Sequence, residues 1–509
     1  MISSVEVHNY RSIKSATMGL QALNAIVGPN NAGKSNVLRA IGTVLGPKWP
    51  PNALSEEDRN RDAEGASIII KVRFDTPIPK DYYGTTFQAH GFELEWRAED
   101  NSEFNCLDYQ GQTLTNKYGN PVRVDNELRR KVPALHVDAK RDLSRELGAS
   151  QWTILGKILK AIEGQLSGDE AFMKKFTAQA DGMAKLLLEK PVKELESTLN
   201  NEMRGISGFH DLNLSFEAPV LLESLKLLQV HVRETKDLPA SRAEELGQGL
   251  QSALVVALVR AYQRIHHVSP LLLLEEPESY LHPQARRAFF TLLDETSSSG
   301  ACQVVYTTHS SEFVEITKPE RISLVRKSAP KGTYVVQGKS GLFTPGQRAE
   351  LKAICEFDTH AREMLFSTCV LVCEGDAEAV SLPVLLKRAG ADPDVRGWTV
   401  VSTGSKDNLP FFLKIGAHFE LAQVAILDED TDKPDYQAKH VQLNKDIASA
   451  VGKRGGTWMS RPDFEKAHGI PGGQSKPREA LGWARARTGP EAKAIVDSLI
   501  KEADRVSAT

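Results

Sequence analysis

The stretch that most restricts the fold of this chain is Gly28–Ser35, which reads GPNNAGKS. It fits the pattern G-x-x-x-x-G-K-[S/T] and stands between an apolar run, LNAIV, and a segment of helical character, NVLRAIGTVL. A strand that turns through glycines into a helix N-terminus directs several backbone N–H groups toward one point, where an anion can bind. The pattern therefore predicts an α/β domain with a phosphate-binding loop.

The residue types inside this loop suit a nucleoside triphosphate. Lys34 can reach the β- and γ-phosphates, and the Ser35 hydroxyl can hold the Mg²⁺ that accompanies ATP. The other residues predicted to contact the nucleotide are Gly28, Asn30, Asn31, Gly33 and Asn36. An ordinary glycine-containing turn is the alternative, and each further motif in the expected order weakens it.

A second motif, LLLLEEPESYLHP, follows at Leu271–Pro283. Its four leucines predict a buried central strand that ends in two acids, which the two-residue period of a strand points in different directions. We expect Glu275 on the metal side and Glu276 beside the water that attacks the γ-phosphate. The later run CQVVYTTHS predicts a neighbouring strand that presents His309 to the same phosphate. Taken alone, either run could be a core strand with polar residues at its end.

The composition of the 509 residues, 41% hydrophobic and 25% charged, is that of a globular chain with two or three domains. Its net charge of −3 gives no global basic field, so any nucleic-acid binding must rest on local patches. Without a signal-like N-terminus or a long uncharged apolar run, we expect a cytoplasmic chain with no membrane contact. Five cysteines without paired CxxC spacing predict reduced core thiols.

In their order along the chain, these motifs resemble those of the ABC-type ATPases, particularly the SMC-like branch. The segment ELGQGLQSALVVAL is similar to a divergent signature motif that opens a helix, with Gly247 and Gly249 as its glycines. In that family the signature of one protomer closes over ATP held by another. The resemblance therefore implies a homodimer with ATP and one Mg²⁺ at each shared site, contacted by both glycines.

The predicted ATPase domain spans residues 1–345 and has strand character at 67–75 and 91–97. A helical insertion is expected at about 145–205, where WTILGKILKAIEGQL places Ile154, Leu155, Ile158, Leu159 and Ile162 on one stripe. The insertion is too short for a long coiled-coil arm. It is either a compact dimerisation element or a helical lobe of the ATPase that packs on itself, and both interpretations stay open here.

After a helical connector at 346–365, the segment 366–509 alternates strand and helix, which predicts a small, mostly parallel α/β sheet. Glu374 ends its first strand, and Glu378 lies one helical turn further on. Asp428 and Asp430 follow the later strand VAILD and share a face. Four carboxylates at one edge predict an oxygen site for Mg²⁺ or Mn²⁺. Two ions about 4 Å apart there would suit phosphodiester cleavage.

An E-G pair after one strand and D-x-D after a later strand look like a Toprim domain, with Glu374, Asp428 and Asp430 matching its motif. A Toprim domain behind an SMC-like ATPase resembles the OLD (overcoming lysogenisation defect) family, which includes the nuclease subunit of Gabija anti-phage systems. The resemblance implies an ATPase-coupled DNA endonuclease with two metal ions in the Toprim site, acting in anti-phage defence or DNA processing. It leaves open whether a separately encoded helicase is a partner.

Two later residues have roles that only this resemblance implies. Glu465, in RPDFEKAHG, stands where the family has a late acidic metal ligand, and Lys476, in QSKPREAL, stands at the catalytic lysine. A buried ammonium at Lys476 would stabilise the extra negative charge of the transition state. Glu465 is expected on a helix and Lys476 in a loop, where both could equally be ordinary surface residues.

Two other functions could use a similar set of motifs. A topoisomerase needs a nucleophilic tyrosine in a separate cleavage domain, and beyond Tyr306 the chain offers only Tyr334 and Tyr436 without such a domain. The second rival is a DNA-dependent ATPase sensor whose Toprim domain binds DNA without cutting it. The intact set of four carboxylates argues against that reading.

Overall fold

The computed structural model describes residues 1–46, 48–98, 101–137, 153–187, 191–203, 221–228, 230–233, 239–279, 281–357, 359–430, 437–470 and 475–508. The chain divides into two compact units, and each is described by itself. The first consists of Met1–Ala139 together with Leu271–Thr509, and the second is Lys140–Pro270.

The strands are, in chain order, β1 (Ile2–Tyr10), β2 (Ile13–Gly19), β3 (Leu23–Val27), β4 (Ile68–Tyr82), β5 (Thr85–Ala98), β6 (Asn101–Leu107), β7 (Ala134–Val137), β8 (His231–Val232), β9 (Ser241–Arg242), β10 (Leu271–Glu275), β11 (Gln303–Thr307), β12 (Ile322–Ser328), β13 (Gly332–Gln337), β14 (Cys369–Cys373), β15 (Trp398–Ser402), β16 (Gln423–Asp428) and β17 (Gly455–Ser460).

The α-helices are α1 (Lys34–Leu45), α2 (Asn126–Arg130), α3 (Ile154–Ser167), α4 (Glu170–Leu187), α5 (Pro191–Met203), α6 (Leu221–Leu225), α7 (Gln248–His266), α8 (Pro283–Ser298), α9 (Pro345–Phe357), α10 (Asp376–Arg388), α11 (Pro393–Arg396), α12 (Leu409–His418), α13 (Gln437–Ala450), α14 (Phe464–His468), α15 (Lys476–Ala486) and α16 (Gly489–Ala508).

A large mixed sheet forms the N-terminal part of the first unit. Among the described residues its strand order is β6-β5-β4-β1-β2-β13-β12-β3-β11-β10-β7. The segment from β12 to β7 is parallel, and the strands from β6 to β13 pair antiparallel. In β3, β10 and β11 every residue is buried, as expected for central parallel strands covered on both faces. The carboxyl ends of these three strands therefore meet at one edge.

A smaller sheet forms the C-terminal part of the same unit. Its order is β15-β14-β16-β17, and all its pairs are parallel. The chain places β15 on one side of β14 and β16 on the other, so the order reverses between β14 and β16. Such a reversal opens a crevice at the carboxyl ends of the two strands. The expected α/β architecture with a parallel C-terminal sheet is confirmed.

The second unit contains α3 to α7 and the short antiparallel pair of β8 and β9. Helix α3 buries Ile154, Leu155, Ile158 and Leu159 and packs against α6 and α7. Most of the predicted apolar stripe is therefore used inside this unit, as the self-packing interpretation requires. Residues 145–152, 188–190 and 204–205 of the predicted insertion lie outside the described residues. A dimerising role for the insertion stays a prediction.

All five cysteines are buried, and none forms a disulfide. Burial raises the pKa of both Cys106 and Cys369 to about 12, as expected for thiols in apolar surroundings. The prediction of reduced core thiols agrees with this placement. Within the described parts of the chain, no helix has the length and apolar character needed to cross a membrane.

Candidate active sites

The predicted phosphate loop lies between β3 and α1, with its backbone in conformations that suit glycine. Gly28 has φ 144°, and a Cβ added there would lie 2.2 Å from the carbonyl oxygen of Val325. Gly33, at φ 105°, directly precedes the first residue of α1. The side chain of that first residue, Lys34, is buried, and its Nζ donates to the carbonyls of Gly28 and Pro29, each at 3.0 Å.

Two residues that the sequence did not single out brace this loop. Ser12 Oγ accepts hydrogen bonds of 2.8 Å from Asn36 Nδ2 and from Thr333 Oγ1. Thr333 Oγ1 also lies 2.7 Å from the Ala32 carbonyl oxygen. The predicted contacts Asn30 and Asn31 are exposed at the tip of the loop, and Ser35 is partly buried. The loop is thus held by the turn between β1 and β2 and by β13, while its tip faces outward.

A cavity of about 660 Å³ adjoins the loop on the side of Ser12. The cations that line it outnumber its acids: Arg11, Lys14, Arg59, Arg61 and Lys327 are accompanied by Glu57 and Asp62. Three of these cations are already paired, Arg11 with Asp58, Lys14 with Asp62 and Arg59 with Glu56, so the excess of positive charge is modest.

The two acids after β10 have different surroundings. Glu275 is buried, with Arg39 Nε at 3.2 Å and His136 Nε2 at 3.9 Å from its Oε1. Glu276 is partly exposed and has φ 45°, a conformation that turns it away from the direction of the strand. The sequence predicted that the two acids would point apart, but gave no signal for Arg39 or His136 as neighbours.

The structure brings Lys34, Glu276 and His309 together. His309 Nε2 lies 3.6 Å from Glu276 Oε1. Burial lowers the pKa of Lys34 to about 8, against the opposing pull of Glu276 and Glu278. Burial, and then the positive charge of Lys34, lower the pKa of His309. The Lys34 amine, the His309 imidazole and the Glu276 carboxylate thus lie close together at the carboxyl ends of β3, β10 and β11.

The predicted signature residues belong to the second unit. Gly247 caps the N-terminus of α7, and Gly249 lies in its first turn. The side chain of Gln251 donates a 3.0 Å hydrogen bond to the Leu246 carbonyl, which fixes the start of the helix. The expected helix opening is present, and contact of these glycines with nucleotide stays a prediction.

In the smaller sheet, the predicted carboxylates gather at the crevice between β14 and β16. Glu374 follows β14, and Asp428 is the last residue of β16. The N–H of Asp430 donates to the Pro462 carbonyl at 3.0 Å, which continues the pairing of β16 with the β17 side. One oxygen each of Glu374, Asp428 and Asp430 can be chosen so that all three lie within 4.8 Å of one another.

Glu378, in the first turn of α10, completes this cluster. It is buried, and burial, Glu374 and Glu465 together raise its pKa to about 7 against the effects of its own backbone hydrogen bond and of Lys476. Burial, followed by Glu378, Glu374 and Asp430, raises the pKa of Asp428 to about 8. Carboxylates this crowded repel one another, and a divalent cation bound between them would remove that repulsion. The donor set is all oxygen, which fits Mg²⁺ or Mn²⁺.

Glu465 and Lys476 line the same cavity as these acids, which has a volume of about 440 Å³. Lys476 Nζ lies 3.2 Å from Glu465 Oε1. The expectation of a buried ammonium is wrong, because the Lys476 side chain is 59% exposed. The residue begins α15 instead of lying in a loop, and this places it at the rim of the cavity.

Sequence reasoning missed three further residues at this site. Lys406, only 4% exposed, donates from Nζ to the Asp428 carbonyl and to Asp430 Oδ2, the latter at 3.2 Å. His440 Nδ1 lies 3.9 Å from the same Oδ2, and Asp463 lines the cavity. The hydroxyl of Ser402, at the end of β15, donates to Asp376 Oδ1 at 2.8 Å.

Known protein families match both the N-terminal and the C-terminal part of this chain. The family described as AAA ATPase domain matches residues 1–120 and 123–314, and the family described as Overcoming lysogenization defect protein-like, TOPRIM domain, matches residues 365–430. The expected pairing of an ATPase domain with a Toprim domain is confirmed.

Among individual proteins, the chain is similar to two curated nucleases. It is 31% identical to the OLD nuclease of Thermus scotoductus, over 92% of each chain. It is 27% identical to the Old nuclease of Escherichia phage P2, over 76% of this chain and 70% of that one. Among solved structures, an SMC head bound to the C-winged helix domain of ScpA covers 67% of this chain and 98% of its own, at 17% identity and a TM-score of 0.40.

Proposed function

The chain belongs to the OLD nuclease family, as its motifs predicted, and on that premise we propose that it couples ATP hydrolysis to metal-dependent cleavage of DNA. The observation that carries the nuclease assignment is the cluster of Glu374, Asp428 and Asp430, with ligand oxygens within 4.8 Å of one another. It lies at the carboxyl ends of adjacent parallel strands, where open α/β sheets bind their ligands.

These residues divide naturally into ligands and a phosphate-directed cation. Glu374, Asp428 and Asp430 would hold one Mg²⁺ or Mn²⁺, while Glu378 and Glu465, on the other walls of the cavity, would contribute to a second. Bound ions of this kind activate a water and stabilise the leaving oxygen. Lys476, at the rim, can reach a phosphate of DNA from outside the carboxylate cluster, and would stabilise charge in the transition state.

At the ATPase site, the amides of the loop and Lys34 would bind the β- and γ-phosphates, with Ser35 and Glu275 on the side of the Mg²⁺. Glu276 would orient or deprotonate the attacking water, and His309, 3.6 Å away, would contact the γ-phosphate. The basic cavity beside Ser12 would take the remainder of the nucleotide.

The assembly proposed here is a homodimer in which Gly247 and Gly249 of one protomer close over ATP held by the other. The proposed boundaries are 1–345 for the ATPase domain, 346–365 for the connector and 366–509 for the Toprim domain. We propose anti-phage defence or DNA processing as the biological role. Light scattering should give a mass of at least twice the 56.0 kDa chain, and a monomer both with and without ATP would exclude the shared site.

The decisive experiment is incubation of the purified chain with supercoiled plasmid and Mg²⁺, Mn²⁺ or Ca²⁺, with and without ATP. Nicked or linear product that depends on Mg²⁺ or Mn²⁺ is expected. Glu429→Gln is a matched control, because Glu429 lies between the two aspartates and pairs with Arg461 at 3.4 Å. ATP hydrolysis stimulated by DNA without any cleavage would instead support the sensor function.

A further inference from the structure

One buried carboxylate, Glu278, ties together the loops that follow β10 and β11. It is 7% exposed, and its Oε1 accepts hydrogen bonds from Thr308 Oγ1 at 2.8 Å and from the His309 N–H at 2.7 Å. The Ser310 N–H in turn donates to Thr308 Oγ1 at 3.0 Å. The backbone on both sides of His309 is therefore organised around this single oxygen.

A second connection joins the same two loops. The N–H of Glu276 donates to the Thr307 carbonyl at 3.1 Å and to its hydroxyl at 3.2 Å. Glu276 has a positive φ, which a non-glycine residue adopts only where its surroundings hold it. The carboxylate of Glu276 and the ring of His309 are thus each positioned by bonds that cross from one loop to the other.

The environment of Glu278 is unfavourable for an ordinary structural acid. Burial, and to a smaller extent the charge of Glu276, raise the pKa of its carboxyl against hydrogen bonds from the His309 N–H, its own N–H and the Thr308 hydroxyl. Its other oxygen, Oε2, is buried and has no hydrogen-bond donor among the described residues, a state that proteins rarely tolerate. The charge of Glu278 also opposes the lowering of the Lys34 pKa.

We propose that Glu278 is a positioning residue for ATP hydrolysis, which holds the His309 turn against the Glu276 loop so that imidazole and carboxylate meet the γ-phosphate together. It acts through His309 and does not itself touch the reacting atoms. This inference rests on the ATPase function proposed above.

The first test compares Glu278→Ala with Glu278→Gln. The glutamine keeps an acceptor for Thr308 and His309, whereas the alanine removes it. We expect the alanine variant to lower kcat by about 10- to 100-fold, since misplacing a group that contacts the reacting phosphate costs about this much. Equilibrium binding of a fluorescent ATP analogue should change by less than about threefold. The glutamine variant should recover most of the lost rate.

The second test is a double-mutant cycle with His309→Ala. If Glu278 acts through His309, the double variant should hydrolyse ATP no more slowly than His309→Ala alone. Losses that multiply would overturn the proposal, because they would mean that Glu278 and His309 contribute independently. Glu315→Ala is the control: it breaks ion pairs with Lys318 and Arg321 further along the same loop, and should leave the rate unchanged.

Thr308→Val keeps the test decisive if Glu278→Ala fails to fold. It removes one of the two donors to Glu278 Oε1 and should also be non-additive with His309→Ala, and multiplying losses in that cycle would overturn the proposal as well. The two levels of inference fail differently. A wild-type chain that does not hydrolyse ATP would contradict the proposed function, whereas wild-type rates in Glu278→Ala would contradict only the role of Glu278.

Discussion

The two sites of this chain use the same strand geometry for ligands of opposite charge. In each site an acid ends a buried parallel strand. Glu275 ends β10 of the large sheet, and Asp428 ends β16 of the small sheet. The acids of the first site face basic groups, with the Arg39 guanidinium 3.2 Å from Glu275 and the His309 imidazole 3.6 Å from Glu276. In the second site Glu374, Asp428 and Asp430 converge on one another, although Lys406 also pairs with Asp430 at 3.2 Å.

This difference decides what each edge can bind. At the ATPase site, backbone N–H groups and Lys34 leave a net attraction for an anion, so phosphate fits. At the Toprim site, burial and neighbouring carboxylates raise the pKa of Asp428 to about 8, so the cluster attracts either protons or metal ions. The position of an acid at a strand end therefore does not reveal which ligand binds there until the charges of its neighbours are known.

The largest expected effect is a loss of DNA cleavage that leaves ATP hydrolysis intact. Asp428→Ala removes a proposed central metal ligand, so DNA cleavage should fall by orders of magnitude while ATP turnover stays near that of the wild type. Calorimetric titration with Mn²⁺ should show weakened binding. A variant that cuts plasmid as well as the parent would mean that the carboxylates are only a solvated strand end.

The reciprocal substitution should abolish ATP hydrolysis and leave DNA cleavage intact. Lys34→Ala removes the amine proposed to bind the β- and γ-phosphates, so ATP hydrolysis should be lost in a phosphate-release assay while metal-dependent nicking persists. Lys331→Ala, which removes an amine 4.8 Å from the Tyr334 ring, is the control and should hydrolyse ATP normally. Full ATPase activity in Lys34→Ala would refute the assignment of the phosphate loop.

Within the Toprim site, Lys476 should separate catalysis from metal binding. Lys476→Ala removes one charge-stabilising group, so cleavage should slow by about 10²- to 10³-fold. Mn²⁺ affinity by calorimetry should stay close to that of the wild type, unlike in Asp428→Ala. Lys466→Ala is matched to it, because Lys466 pairs with Asp463 at 3.0 Å near the same cavity. Equal losses in the two lysine variants would point to general electrostatics.

The smallest expected effect is on pH dependence. The metal-free pKa values of Glu378 and Asp428, about 7 and about 8, mean that metal binding must displace protons. Mn²⁺ affinity should therefore rise with pH, by up to about tenfold per unit for each proton released, until the pH exceeds these values. Calorimetry in buffers of different ionisation enthalpy measures the released protons. Affinity independent of pH between about 6 and 9 would contradict the crowded cluster.

The same shifts predict the stability of the metal-free chain. Both carboxyls have raised pKa values in the folded state. The folded state therefore binds more protons than the unfolded state at pH values between the ordinary carboxyl pKa, about 4, and these raised values. Their contribution to stability is present at low pH and is lost as pH rises through about 7 and about 8. Thermal unfolding in the presence of a chelator should show this loss, and added Mn²⁺ should reverse it.

The parts of these sites that could be predicted from sequence are those encoded by local patterns. The runs LNAIV, LLLLE and VAILD identified buried strands, and parallel strands bring their ends to one edge. Ser12 and Thr333 escaped notice because their hydrogen bond joins residues 321 positions apart. Lys406 gave no signal because its burial against Asp430 depends on how two strand-end turns meet. The exposure of Lys476 follows from the start of α15, which the sequence placed in a loop.

Because all five cysteines are buried, the native chain should react only slowly with thiol reagents. Reaction needs an accessible thiolate, and the two pKa values of about 12 leave Cys106 and Cys369 protonated at neutral pH. A cysteine introduced at Tyr83, 91% exposed on the ATPase side, or at Val395, 85% exposed on the Toprim side, would therefore react in preference to the native thiols. A donor and an acceptor dye at these two positions could follow, by energy transfer, whether nucleotide changes the distance between the two catalytic halves.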